Sequence, residues 1–120
     1  MLERAKEFLQ VAELALEKEL YNGCVANCYY ALFWVTILAM SHAGFKQAEW
    51  SHHGLRQKFN EELVHRRHIY PSQFTTWLSD AYSERLKAHY KTQGAGGKHT
   101  KRLLIHTREF ITKVEEVVTK

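Results

Sequence analysis

From Leu20 to Phe45 the chain carries no Asp, Glu, Lys or Arg, whereas the segments on either side mix apolar and charged positions. Within that stretch, Cys24 to Ala43 contains neither Pro nor Gly, and it predicts one helix about 30 Å long. That length suits a bilayer core as well as the centre of a small domain. The neighbouring segments decide between the two. Three of them carry one-sided apolar stripes at helical spacing, each needing a surface to bury against, and a helix apolar on all sides is the natural centre. Asn27, Thr36, Tyr29 and Tyr30 interrupt its apolar surface, Lys46 is the sole nearby cation, and no basic cluster orients an insertion, so no membrane partner is expected.

Ahead of this stretch, Leu2, Ala5, Leu9, Ala12 and Leu16 step by three and four, with Phe8, Val11 and Ala15 widening the stripe, and predict a first helix. Tyr21-Asn22-Gly23 is the expected turn, which makes helix one and the central helix a hairpin. On the central helix Ala26, Tyr30, Phe33, Ile37 and Met40 form one seam, and Cys24, Cys28, Ala31, Val35 and Leu38 form another on the opposite side. A bundle needs one inward stripe, so the second seam predicts a second copy of the chain or, alternatively, an extra short helix lying over it.

Beyond Gly44, Ser51 stands where it can cap a short helix carrying Leu55, Phe59 and Leu63. Val64 to Pro71 reads as a connection, because the residue before a Pro is disfavoured in helical geometry. Ser72 is expected to cap a helix whose face carries Phe74, Trp77, Leu78, Ala81, Arg85 and Ala88, followed by a loop over Thr92 to Gly97. Leu103, Thr107, Phe110, Val114 and Val117 mark the last helix. The expected fold is all-α, an up-and-down four-helix bundle with an additional short helix. A chain of 120 residues suits one domain, residues 1–120.

Charge sharpens this picture. The net charge of +4 is uneven: residues 1–20 hold five acids against three bases, and residues 46–120 hold fourteen Lys and Arg against eight acids. The second part is a candidate anion-binding surface, or simply a solvated exterior. The amphipathic pattern starts at the first residues with no cleavable apolar core, which points to a cytoplasmic protein. Cys24 and Cys28, four apart on one helical face, suit small buried hydrophobes better than a disulfide.

Among eight His residues, His52 and His53 are adjacent, and His65 and His68 flank Arg66 and Arg67, whose charge opposes a divalent cation. Neither pair has the spacing of a zinc hydrolase, so neither a metal nor a cofactor is expected. The glycine-rich loop follows a helix and lacks the Lys-Ser or Lys-Thr ending of a phosphate cradle. Arg85 is the more telling residue. An Arg in line with a core stripe is ion-paired, at a groove mouth, or waiting for a phosphate. His89, four residues on, projects from the same face, and an Arg that holds a phosphate with a His that moves protons is a minimal set for metal-independent RNA cleavage. The alternative is that Arg85 pairs with Asp80 or Glu84 and that His89 is a surface residue.

Several stretches, in order, resemble the HEPN family of small helical domains: Ala12 and Leu16 before Tyr21; Tyr29-Tyr30-Ala31-Leu32-Phe33; His52 and Gly54 followed by Phe59; Arg85, Ala88 and Tyr90; and Arg108, Glu109, Phe110 and Ile111. The resemblance implies a helical bundle that homodimerises around a cleft handling nucleotides or RNA, often encoded beside a minimal nucleotidyltransferase. Catalytic members carry Arg, four to six residues, then His. Here Arg85 and His89 leave three between them, as do Arg102 and His106, and Tyr90 stands where the shortest version has His. The subgroup most similar to this chain reads Arg, two residues, Ala, Asp, Tyr, with His89 here in the place of that Asp.

The expected function is therefore a HEPN dimer that contacts nucleotide, RNA or a nucleotidyltransferase partner, as in a toxin-antitoxin type module. Its ligand-binding residues would be Arg85, His89, Tyr90, Tyr30, Asn27 and His52. Two alternatives stand beside it: a divergent endoribonuclease with Arg85 and His89 catalytic, and an interaction module without a ligand.

Overall fold

The computed structural model describes all residues from Met1 to Lys120. It is all-helical: α1 (Leu2–Glu17), α2 (Tyr21–His42), α3 (His52–Phe59), a π-helical continuation of α3 (Asn60–Arg66), α4 (Gln73–Tyr90) and α5 (Gly97–Val118). The uncharged α2 lies at the centre, packed against α1, α5 and α4, while α3 fits between α2 and α4. Of its 22 residues, 11 are buried, so the one helix long and apolar enough to cross a membrane spends that surface on the protein's own core. One continuous cluster runs from Ala5 and Ala12 through α2 to Phe59, Phe74, Phe110 and Val114. Phe110 is fully buried, stacked 4.3 Å from Phe74 and 5.7 Å from Phe59.

Four local expectations are corrected. The α1–α2 turn is Lys18-Glu19-Leu20 rather than Tyr21-Asn22-Gly23, which form the first turn of α2. Leu20 N–H donates to the Ala15 carbonyl (2.8 Å) and Glu19 N–H to that of Leu16 (2.9 Å), with Glu19 in the left-handed region at φ 57°. This is a Schellman ending with Glu where glycine is usual. The second seam of α2 is covered largely within the protomer: Cys24, Cys28, Ala31 and Val35 are fully buried and Leu38 is half-buried. The connection to Pro71 starts at Arg67 rather than Val64, because the helix continues through Arg66 with Val64 buried and the Arg67 N–H reaching back five residues to Glu62 (3.1 Å). Ser72 makes no side-chain cap; α4 begins with Phe74 N–H on the Pro71 carbonyl and with the Thr75 hydroxyl donating to Asn60 Oδ1 (2.8 Å). Ser51 does cap α3, accepting from Gly54 N–H at 2.9 Å.

Polar contacts fasten the helices to one another at separate places. Asn22 Oδ1 accepts from Ala95 N–H (2.8 Å), tying the start of α2 to the α4–α5 loop, and Gly94 at φ +68° lies against that same side chain. Ion pairs Arg108–Glu13 (2.9 Å) and Lys6–Glu115 (2.7 Å) join α1 to α5.

Candidate functional site

Helical spacing brings five rings and one guanidinium together. Tyr29 and Tyr30 leave α2, His52 opens α3, Tyr82 and Arg85 are one turn apart on α4, and Phe8 of α1 closes the side, 5.4 Å from Tyr30. His52 stacks on Tyr82 with ring centroids 3.8 Å apart and planes 13° from parallel. Tyr29 stands 5.6 Å from His52 and 5.9 Å from Tyr82. The Arg85 guanidinium carbon lies 4.9 Å from the Tyr29 ring centre and 5.5 Å from that of Tyr30.

No carboxylate pairs with Arg85: the four ion pairs of the chain lie elsewhere. Glu84 is the preceding residue, and successive side chains on a helix diverge rather than face each other. Its Oε2 is buried without a partner, as is Arg85 Nε. Burial works against the Arg85 charge, but the Tyr30 hydroxyl and the phenols of Tyr30, Tyr29 and Tyr90 outweigh it and raise the guanidinium's pKa. The phenols respond in turn: burial raises Tyr29, although Arg85 pulls it down. His52 is pushed down to about 4, first by burial and then by the charges of Arg56, His53 and Arg85. At neutral pH the box therefore holds one fixed cation and a neutral imidazole.

The remaining expected residues lie around this box in different roles. Tyr90 is 74% exposed at the end of α4, near enough to act on the Arg85 charge. His89 is also exposed, its ring 6.2 Å from that of Tyr90. Asn27, one turn before Tyr30, donates from Nδ2 to the Gly23 carbonyl of its own helix (2.8 Å). His106 of the other Arg-x-x-x-His pair is stacked flat on Trp77 at 4.2 Å, a packing role. Sequence reasoning did not single out Tyr82. Its signal was available, since Tyr82 precedes Arg85 by three and thus shares its helix face.

No three His, Cys, Asp or Glu side chains converge anywhere in the chain. Cys24 and Cys28 are free, buried thiols; their mutual hydrogen bond lowers the first and raises the second. Under the aromatic box the space bounded by Tyr29, Phe33, His52, Leu55, Arg56 and Leu78 is about 10 Å³. That is the lower limit for one water, so this space is closed to anything larger.

Compared with protein-family models, the chain matches the HEPN domain over residues 1–117. A comparison with curated proteins finds no match. The family match spans nearly the whole chain and agrees with the all-helical fold: the chain belongs to the HEPN family.

Proposed function

We propose that this HEPN-family chain binds the phosphate of a nucleotide or of RNA at Arg85, and that it binds without cleaving. The observation that carries this reading is a guanidinium held on two phenol faces with no carboxylate in reach. A planar fork of donors seated in this way is ready for two parallel bonds to phosphate oxygens, and its charge lacks an internal partner to displace first. Tyr29 and Tyr30 hold it in place. Tyr90 and His89, exposed at the rim, supply further polar contact, and Asn27, Tyr30 and His52 line or brace the approach.

Cleavage would need a proton carrier on the same phosphate as Arg85. His52 is held neutral and stacked, and His89 follows Arg85 by one fewer residue than the shortest spacing of catalytic relatives. A homodimer in the cytoplasm, and a minimal nucleotidyltransferase partner in a toxin-antitoxin type module, belong to the same proposal on the strength of the family. Val11 and Leu14, exposed three apart on α1, offer one apolar surface for a second copy.

The test is incubation of the protein with labelled single-stranded RNA in EDTA, followed both by binding and by product analysis. Binding with intact RNA is expected. Specific cleavage lost in both Arg85→Ala and His89→Ala would overturn the binding reading in favour of the ribonuclease. Light scattering should give twice the 14.1 kDa chain mass, and a monomer would remove the dimer.

A further inference from the structure

A groove of about 590 Å³ opens beside the Arg85 box, with Phe33, Trp34 and Ile37 of α2 as its floor and Phe45 and Trp50 on the irregular segment opposite. Its volume lies within the range of small-molecule sites. The wall opposite α2 is built in place: Arg67 donates to the Ala43 carbonyl (3.1 Å) and lies over the Phe45 ring, which Lys58 also approaches. Arg4 covers Trp34 at 4.3 Å, and Lys46 stands at the mouth. Among the groove's own residues the only acid is Glu49. Neither Arg4, Lys46 nor Arg67 is in an ion pair. Aromatic walls under unpaired cations suit a ligand with flat π faces and negative charge.

The groove is continuous with the box. Tyr29 touches Phe33 at 6.1 Å and Phe33 meets Trp34 at 5.9 Å, edge to face. Trp34 lies four residues after Tyr30 on the same helix face, about 6 Å along the axis. A phosphate at Arg85 and the groove floor at Trp34 are thus separated by roughly one helical turn. We propose that the groove is a base-stacking subsite: a single-stranded oligonucleotide that sets one phosphate on Arg85 lays a neighbouring base in the groove against Trp50. This rests on the phosphate-binding reading of Arg85. It also names the substrate class, because bases in a duplex have their faces covered and cannot enter such a slot. Lys46 then takes an adjoining phosphate, while Arg4 stays on the Trp34 ring.

The protein carries its own reporter. Two of its three tryptophans, Trp34 and Trp50, line the groove, while Trp77 is buried against His106. The experiment titrates the full chain with a single-stranded adenine RNA hexamer, and with inorganic tripolyphosphate as an anion without bases, while tryptophan fluorescence is followed. The hexamer is expected to quench and the tripolyphosphate to leave emission unchanged. Trp50→Ala should weaken the hexamer by at least about fivefold, the lower end of one base on one aromatic ring, and leave tripolyphosphate affinity as it was. Lys46→Glu, at an exposed position that folding does not need, should weaken the hexamer while leaving the melting temperature unchanged.

Hexamer affinity lost in Arg85→Ala but unchanged in Trp50→Ala and Lys46→Glu would overturn the subsite and keep the Arg85 reading. The reverse pattern would refute the Arg85 reading and leave the groove as a base site in its own right. No hexamer binding at all would sink both. Groove variants that change the mass of the assembly, and not hexamer affinity, would show that a second copy fills the groove and would overturn the inference.

Discussion

Replacing Arg85 with Ala separates a guanidinium held for a ligand from one held for the fold. In the folded protein its favourable contacts are the faces of Tyr29 and Tyr30, each worth about 0.5–1 kcal/mol where partly exposed. Against them stands the buried, unpartnered Nε, whose lost hydration costs on the order of 1–3 kcal/mol. The two nearly cancel, and no carboxylate is stranded by the substitution. Stability should change by no more than about 1 kcal/mol, a shift of roughly 3–6 °C in melting temperature for a chain of this size. Phosphate binding should suffer far more, because a charge-assisted contact is worth about 1.5–3 kcal/mol, or roughly ten- to a hundredfold in affinity. Thermal melting by circular dichroism and equilibrium titration with a mononucleotide give both numbers. Arg85→Lys should fall between, since a lysine keeps the charge without the flat fork that lies on the phenols. A fall of more than about 10 °C, with affinity declining only as the protein unfolds, would refute the reasoning.

Three further outcomes follow from particular contacts. His52 has a pKa of about 4 in the fold against about 6.5 unfolded, so between those values the unfolded chain binds the extra proton; stability is level above about pH 6.5 and falls as pH drops toward 4. After discounting for its partial exposure the loss is about 1–2 kcal/mol, and His52→Phe, which keeps the stack on Tyr82, should flatten that part of a pH–denaturation series; an unchanged slope would count against it. Phe110→Ala removes a fully buried ring stacked on two others and should cost about 3–5 kcal/mol in urea unfolding; under about 1 kcal/mol would show a core that closes over the gap. Gly94→Ala adds a Cβ 2.9 Å from Asn22 Oδ1 at a positive φ, and should destabilise more than Asn22→Ala, which loses only the bond to Ala95 N–H, about 1 kcal/mol; the opposite order would refute the part given to the loop.

What the sequence disclosed was set by which signals are local. Helical stripes are local, and all five helices follow them, including the uncharged α2 whose apolar surface on every side required a central place. The α1–α2 turn was misread because Asn22 and Gly23 have turn chemistry, whereas the residue that takes the left-handed conformation is Glu19, which advertises nothing. Asn22 uses its polar side chain on Ala95, 73 residues away, a partner no window can show. The two seams of α2 were both legible as apolar, but which neighbour covers each depends on tertiary packing. The wide turn after Phe59, in which Leu63 and Val64 are both buried, escaped notice because nothing in the local spacing marks it.

Arg85 marks where the sequence is informative and where it stops. An Arg within a core stripe announces an unusual environment, yet phosphate holder and ion-pair member read alike until the carboxylates are located. Asp80 precedes it by five residues and Glu84 by one, and neither offset lies on its helix face. Three phenols and a neutral imidazole surround the charge instead, drawn from α2, α3 and α4. Phenols stabilise a guanidinium without neutralising it, so the site keeps a net charge of one at its surface. A fold that needed Arg85 only for packing would gain more from a Leu or Met there, which carries no buried Nε to leave unbonded. The unneutralised charge is what the proposed phosphate site would use, and the two rings beside the guanidinium limit its freedom, so less would be lost on binding.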